Sequence, residues 1–412
     1  MSGRKVFSFN SLSRFLLVAV VVVGLATMFL MSENEILEKK NTGLDKSPGS
    51  SHDIDFVMGE VGGGEVFIGK QLDSGEDTFC EPPDSATVVD ENISGQEFEE
   101  LVETAGYGDI IYIGEDAVVN ADFTSDVEEY ISIPSGVTLA SNRGCNGSSG
   151  GKIMVSPGEQ LEWDDSSELF KFDGSSNVTV TGLQILGPGN YSSEMPARRT
   201  AEGVGIQAVN SDNFELYNNF ISNFPAECIN VREGSKNAHV HHNNITFCNR
   251  LGTGYGVGVS STSPPLVEFN YFNHYRHAIA ANTNSYIFRY NYVGSERQNH
   301  QIDMHRRGKE LDVYCNTLKG EEAYMVSQTH LDWEDNPSKL SVISSNWFER
   351  TSSAITIHND SVGDDKEWEF SSNSVNIPNV QVDDNHFGED EPGCGIGAPR
   401  ESCTGSYSCY PS

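Results

Sequence analysis

Apolar and polar positions divide the chain into stretches that behave differently. Residues 15 to 31 carry no charge; Arg4, Lys5 and Arg14 precede them, and Glu33, Glu35 and Glu38 follow. An apolar run with a basic flank before it and an acidic flank after it predicts a transmembrane signal-anchor, with residues 1–14 cytoplasmic and the remainder extracytoplasmic. Residues 32–78 are rich in Gly, Ser, Asp and Glu with little apolar periodicity, which predicts a flexible stalk. Ser94 and Glu97 form a capping-box pattern ahead of Phe98, Leu101 and Val102, so a short amphipathic helix is expected over 95–105, stopped by Gly106 and Gly108. Beyond it the pattern turns to short β-type runs, 109–114, 131–139 and 177–181 among them, with no long helical segment downstream.

The spacing of those runs is regular. An Asn-x-apolar triplet recurs at Asn218, Asn243, Asn270, Asn291, Asn316, Asn346 and Asn385, and its first five intervals are 25, 27, 21, 25 and 30 residues. A period in the twenties, filled with β-branched and aromatic residues between turn signals, suits three short strands and three bends per coil. A leucine-rich repeat of similar length would need a dense leucine ladder, which is absent. The repeated asparagines are expected to be scaffold, because Asn tolerates left-handed backbone and can bond to its neighbours in a stack.

Composition narrows the partners. A formal charge of −34 and a pI near 4.5 exclude nucleic acid and anionic lipid surfaces as main partners, since phosphate binding needs a basic footprint. An anionic ligand must therefore meet a local cluster of Arg, Lys or His. Eight cysteines and six Asn-x-Ser/Thr sequons, starting at Asn92, Asn146, Asn177, Asn190, Asn244 and Asn359, agree with an oxidising, glycosylating compartment. Cys228 and Cys248 lie about one repeat apart, and Cys394, Cys403 and Cys409 crowd a tail over 391–412.

The segments Phe98–Tyr112 and Ile133–Gly144 resemble the N-terminal cap and first coils of the pectin-lyase-like β-helix superfamily, and the resemblance extends over about residues 85 to 390. It implies an all-β fold, a right-handed single-stranded parallel β-helix with a short N-terminal capping helix, over a domain at 79–390. It also implies polysaccharide lyases, glycosidases, epimerases or non-catalytic glycan-binding surfaces, without choosing among them.

Equivalent residues of successive coils stack about 4.8 Å apart. Counted from each anchor, the twelfth and fourteenth positions are Asn230 and Arg232, Tyr255 and Val257, Asn282 and Asn284, Asp303 and His305, Gln328 and His330, His358 and Asp360. These are expected outward, with the intervening residues, such as Ile229, Val231, Gly254, Gly256, Ile302 and Met304, inward. The densest cationic cluster is His274 to His277 with His300 to Arg307. For β-elimination on a uronan, Arg276 or Arg306 would neutralise the carboxylate, His305 or His330 would be the base, and Tyr255 or His277 the acid, with Asp303 orienting a histidine. Arg232, His300 and His358 are the remaining substrate contacts on this face. Asp303, Met304 and His305 faintly resemble the Asp-Pro-His-Asp motif of β-helical mannuronan C5-epimerases, with Met304 and Arg306 departing from it. A glycoside hydrolase would need Asp303 paired with Asp332 or Asp360. Asp312, Asp332, Glu334 and Asp335 could offer oxygen to Ca²⁺, and the histidines could bind a transition metal; the cofactor stays open.

Overall fold

The computed structural model describes residues 56–60, 65–69, 79–121, 130–155, 168–189, 203–248, 253–281, 285–297, 300–304, 311–320, 326–328, 341–349, 354–359, 366–370 and 380–388. The expected anchor at 15–31, the tail at 391–412 and the candidates His305, Arg306 and His330 lie outside the described residues. No helix among those described is long and apolar enough to cross a membrane. Within the stretch expected to be a stalk, Phe56–Glu60 pairs antiparallel with Glu65–Gly69.

From residue 87 onward the chain visits three sheets in rotation. Glu168–Asp173 lies in sheet I, Thr179–Thr181 in sheet II and Gln184–Leu186 in sheet III; the next coil repeats the order with Val204–Val209, Glu215–Tyr217 and Phe220–Ser222. Within every sheet a strand pairs in parallel with its counterpart one coil away, giving ten strands in sheet I and eleven in each of the others. This is the parallel β-helix that the repeat and the resemblance imply. The single exception among these pairings closes sheet I, where Lys366–Phe370 runs antiparallel to Ile355–Asn359.

The inner faces stack like residues on like. Val180, Leu216, Val240, Val267, Phe288 and Val313 line sheet II, and Ile185, Ile221, Ile245, Phe272, Val293 and Leu318 line sheet III, all at most 1% exposed. The N-terminal end of the stack is covered by the helix Gly95–Glu103, whose capping box at Ser94 and Glu97 forms as expected and which buries Phe98 and Val102.

The asparagine ladder is real and its first member is Asn219, one residue beyond the expected anchor. Leu183 N–H donates to Asn219 Oδ1, Asn219 N–H to Asn243 Oδ1, and so on through Asn270, Asn291, Asn316 and Asn346 to Asn385. Left-handed geometry belongs to the residue before each ladder position: Asn218, His242, Phe269, Tyr290, Cys315, Ser345 and Asp384 all have φ between 51° and 58°. Gly182 takes this place one coil earlier, where a Cβ would fall 2.0 Å from the Ser141 carbonyl oxygen. His242 stacks on Phe269 and Phe269 on Tyr290, each at 5.0 Å. Their ring faces cover one another, which stiffens the bend and leaves edges rather than faces to solvent.

Two disulfides have both partners among the described residues. Cys228–Cys248 links the sheet I and sheet III strands of one coil inside the core, and Cys80–Cys145 ties the segment before the helix to an early coil; Cys315 is disulfide-bonded as well. Closing loops of 20 and 65 residues is worth about 3 and 4 kcal/mol by chain entropy. Of the sequons, Asn244 is only 3% exposed, which takes it out of reach of a glycan on the folded chain.

Candidate functional site

The outer face of sheet I carries two rows. One row is Glu168, Val204, Glu227, Tyr255 and His277; the other, three residues further on, is Lys171, Gln207, Asn230, Gly258, Ala280 and Asp303. Between them two consecutive residues turn inward, as with the fully buried Leu169 and Phe170 or Ala278 and Ile279. Strict alternation therefore fails at the start of each strand.

This corrects the expected ladder. Asn230, Arg232 and Asp303 belong to the outer face as expected, but the residue in register with them in the next coil is Gly258, not Tyr255. Val257, expected outward, packs in the core against Ile229 and Ile279. The cause is coil length. Counting from the ladder, the residue in this row comes 11 after Asn219 at Asn230, 15 after Asn243 at Gly258, 10 after Asn270 at Ala280 and 12 after Asn291 at Asp303. A fixed offset cannot follow a corner whose length changes.

Even so, the true register gathers several of the candidates. The single residue Arg276 links the strands Tyr271–Tyr275 and His277–Ala281, so its guanidinium projects at the rim of sheet I. Arg276 Nη1 donates to the Tyr255 hydroxyl at 3.1 Å, with the guanidinium carbon 5.8 Å from that ring's centroid. The Tyr255 ring lies 5.3 Å from His277, and His277 lies 4.3 Å from His300. Asp303 Oδ2 is 2.8 Å from His300 Nε2 and 3.5 Å from His277 Nε2. His277 Nδ1 donates to the His300 carbonyl oxygen at 2.7 Å. His277 and Asp303 are fully buried, while His300 and Arg276 reach the surface in part.

Burial sets the protonation states. It holds His277 well below the ordinary histidine value, and the neighbouring His300 and Arg276 push the same way against Asp303, so the ring is neutral. Burial also raises the Tyr255 hydroxyl, opposed by Arg276, and keeps it protonated. Glu227 was not anticipated from the sequence. One of its carboxylate oxygens is wholly buried, and desolvation pushes the group up to about 7 against the opposing Arg232. Its carboxylate occupies the space over Gly258, where a Cβ would fall 2.6 Å from it.

Not every candidate joins this group. Arg232 is exposed two coils below and donates to Gln207 at 2.8 Å. His358 lies in the sheet I strand Ile355–Asn359, several coils above. Asp312, a candidate calcium ligand, belongs to sheet II and so to a different face from Asp303.

A second cluster, absent from the sequence reading, lies on the outer face of sheet II. His239 is 2.9 Å from Glu268 and 3.4 Å from Glu215, His241 Nε2 is 2.9 Å from Glu215, and Arg289 Nε donates to Glu268 at 2.5 Å. The alternation His239-x-His241 just before the ladder residue Asn243 was the available signal. Burial alone would lower His239, but its bonds to Glu215 and Glu268 outweigh this and push it up to about 9. Burial would raise Glu268, and its bonds to His239 and Arg289 bring it down to about 2. The sign then follows. A raised histidine stabilises fully below its ordinary 6.5 and loses that contribution as pH climbs through 9; the lowered carboxylate stabilises above 4.5 and loses it as pH falls toward 2. Thermal unfolding of the wild type is therefore expected to shift to lower temperature between pH 6.5 and 9, and the His239→Gln variant should lose much of that slope. A wild-type midpoint flat across that interval, or an identical slope in the variant, would contradict the assignment.

No protein-family model matches the chain, and no characterised protein matches it by sequence. Solved structures similar to it include PfbA, a surface adhesin of Streptococcus pneumoniae, at 12% identity and TM-score 0.47 over 74% of this chain and 81% of that one. An alginate lyase from Paenibacillus sp. str. FPU-7 follows at 11% identity and TM-score 0.37 over 73% and 98%. The family 28 exopolygalacturonase of Yersinia enterocolitica gives 10% identity and TM-score 0.24 over 73% and 77%. Likeness at this level carries no activity with it, and the parallel β-helix is established by the chain's own three sheets.

Proposed function

We propose that the chain is an enzyme acting on an acidic polysaccharide, cleaving it by β-elimination at the Tyr255, Arg276, His300 and Asp303 surface. The observation that carries this reading is Arg276 donating to Tyr255 beside a histidine backed by Asp303: a cation, a protonated phenol and an imidazole meet on one outer face. Elimination on a uronan asks for those three groups.

Arg276 meets the uronate carboxylate and stabilises the charge that develops on it when the C5 proton leaves. His300 takes that proton. Asp303, its carboxylate oxygen 2.8 Å from His300 Nε2, favours the tautomer with the proton on that nitrogen and leaves Nδ1 as the base. The electron pair of the C5–H bond becomes the C4–C5 double bond, the bond from C4 to the glycosidic oxygen breaks, and Tyr255 gives its proton to that oxygen. His277, fully buried, positions His300 through the hydrogen bond to its carbonyl and through ring contact.

The same reading places the enzyme outside a membrane, held by residues 15–31. The uncharged run with its basic and acidic flanks supports the orientation, and the disulfides support an oxidising compartment.

Incubating the full-length chain with a panel of uronans and following ultraviolet absorbance tests the proposal. Unsaturated ends from at least one uronan are expected. Reducing ends without absorbance would make it a hydrolase, inverted C5 without cleavage an epimerase, and binding without either a glycan-binding surface protein.

A further inference from the structure

The two clusters both set histidines beside carboxylates but differ in what their nitrogens face. On sheet II each carboxylate meets a proton: His241 turns Nε2 to Glu215, His239 sits between Glu215 and Glu268, and Arg289 completes the chain. Positive and negative groups alternate there, and the cluster is satisfied by its own protons.

On sheet I the arrangement is different. His277 spends its Nδ1 proton on the backbone carbonyl of His300, which fixes the tautomer and leaves Nε2 with a lone pair 3.5 Å from Asp303. His300 Nε2 lies 2.8 Å from the same carboxylate oxygen. Two imidazole nitrogens and a carboxylate oxygen therefore converge, all within 4.8 Å of one another, with the charge of the Asp303 carboxylate among them. His277 and Asp303 are both 0% exposed, so water does little to screen that charge.

We propose that His277 Nε2, His300 Nε2 and a carboxylate oxygen of Asp303 bind one divalent transition-metal ion of the Zn²⁺ type. Bonds of about 2.0 to 2.2 Å in a tetrahedral arrangement separate ligand atoms by roughly 3.4 Å. The 3.5 Å between His277 and Asp303 matches that, and the 2.8 Å between His300 and Asp303 needs only a small widening. Neutral imidazoles with a carboxylate select a borderline cation over Ca²⁺, which prefers six or more oxygens. The hydrogen bond from His277 Nδ1 to a carbonyl is the outer support that metal-binding histidines use. Three protein ligands leave a fourth position open toward Tyr255, whose ring adjoins His277.

The site shares side chains with the elimination proposal but does not depend on it. Coordination at His300 Nε2 leaves the imidazole proton on Nδ1, the nitrogen that would otherwise take the C5 proton, so the metal-loaded form lacks the base and the ion acts as a brake on proton transfer.

Titrating the chelator-treated full-length chain with Co²⁺, and reading its visible ligand-field absorption, tests the assignment. One Co²⁺ per chain is expected, displaced by Zn²⁺, with X-ray absorption at the cobalt edge giving two imidazole ligands. Binding should weaken at least tenfold in His277→Ala and Asp303→Asn and persist in His241→Ala. Absence of the band in the wild type, or a band kept in His277→Ala and lost in His241→Ala, would overturn the proposal. Because the wild-type spectrum and its ligand count need no variant, misfolding of His277→Ala does not leave the question open. A chain that forms no unsaturated product can still give the spectrum, so the two readings fail separately.

Discussion

Replacing Asn270 with Ala is expected to destabilise the chain by about 3 to 5 kcal/mol, the largest single-residue effect predicted for the scaffold. Asn270 Oδ1 accepts from the backbone N–H and the Nδ2 of Asn243, both at 3.0 Å. Its own Nδ2 donates to the carbonyls of Val240 and Glu268 at 2.9 Å and to Asn291 Oδ1 at 3.1 Å. The residue is 2% exposed, so water cannot replace these partners. Truncation orphans a buried backbone N–H and removes a donor from two carbonyls, each lost bond to a buried group costing about 1 to 3 kcal/mol. Asn270→Asp should be no better, since a carboxylate cannot donate and brings a charge into the bend. Denaturant unfolding at fixed pH measures both. A loss below about 1 kcal/mol for Asn270→Ala would show that the ladder merely accompanies the fold.

Exchange of Tyr255 for Phe is expected to lower unsaturated-product formation from a cleaved uronan by about 100- to 10,000-fold, the range a positioned proton donor contributes. The ring contacts with His277 and Arg276 survive the exchange, so the fold should be unchanged and the loss should fall on kcat. Arg276→Lys should act differently. A guanidinium meets a carboxylate through two parallel bonds and an ammonium does not, so kcat/KM should fall about 10- to 100-fold with a rise in KM. Full activity in Tyr255→Phe would remove this surface from the chemistry.

The fold was legible because its causes are local and repeated. A two-residue bend between sheets II and III recurs as His242-Asn243, Phe269-Asn270, Tyr290-Asn291 and onward, and the asparagine marks it in the sequence. The flanking Ser94 and Glu97 announced the helix through chemistry complete within four residues. The site was legible in part. Arg276, His277, His300 and Asp303 were recognisable within the dense cluster and Tyr255 on the outward ladder, but which of them touch depends on the corner between sheets III and I. In the coils that carry the site that corner ranges from the single residue Arg276 to the stretch between Val293 and Ile302, and no residue type marks its length. Thus Asp303 was matched to His305, whereas its neighbours among the described residues are His300 and His277. Glu227, and the network of Glu215, His239, His241 and Glu268, escaped notice because each member is an ordinary surface residue until strands 20 or more positions apart are laid side by side.

A stack in which each coil offers the next the same hydrogen-bonding edge has no intrinsic length. The strand Lys366–Phe370, laid antiparallel on Ile355–Asn359, presents the reversed pattern of donors and acceptors. Its sequence, Lys-Glu-Trp-Glu-Phe, contains three charged residues, a composition natural sheets use at edges to refuse a further strand. Among the described residues sheet I, the sheet that carries Tyr255 and Asp303, therefore ends in a strand that does not copy the repeat.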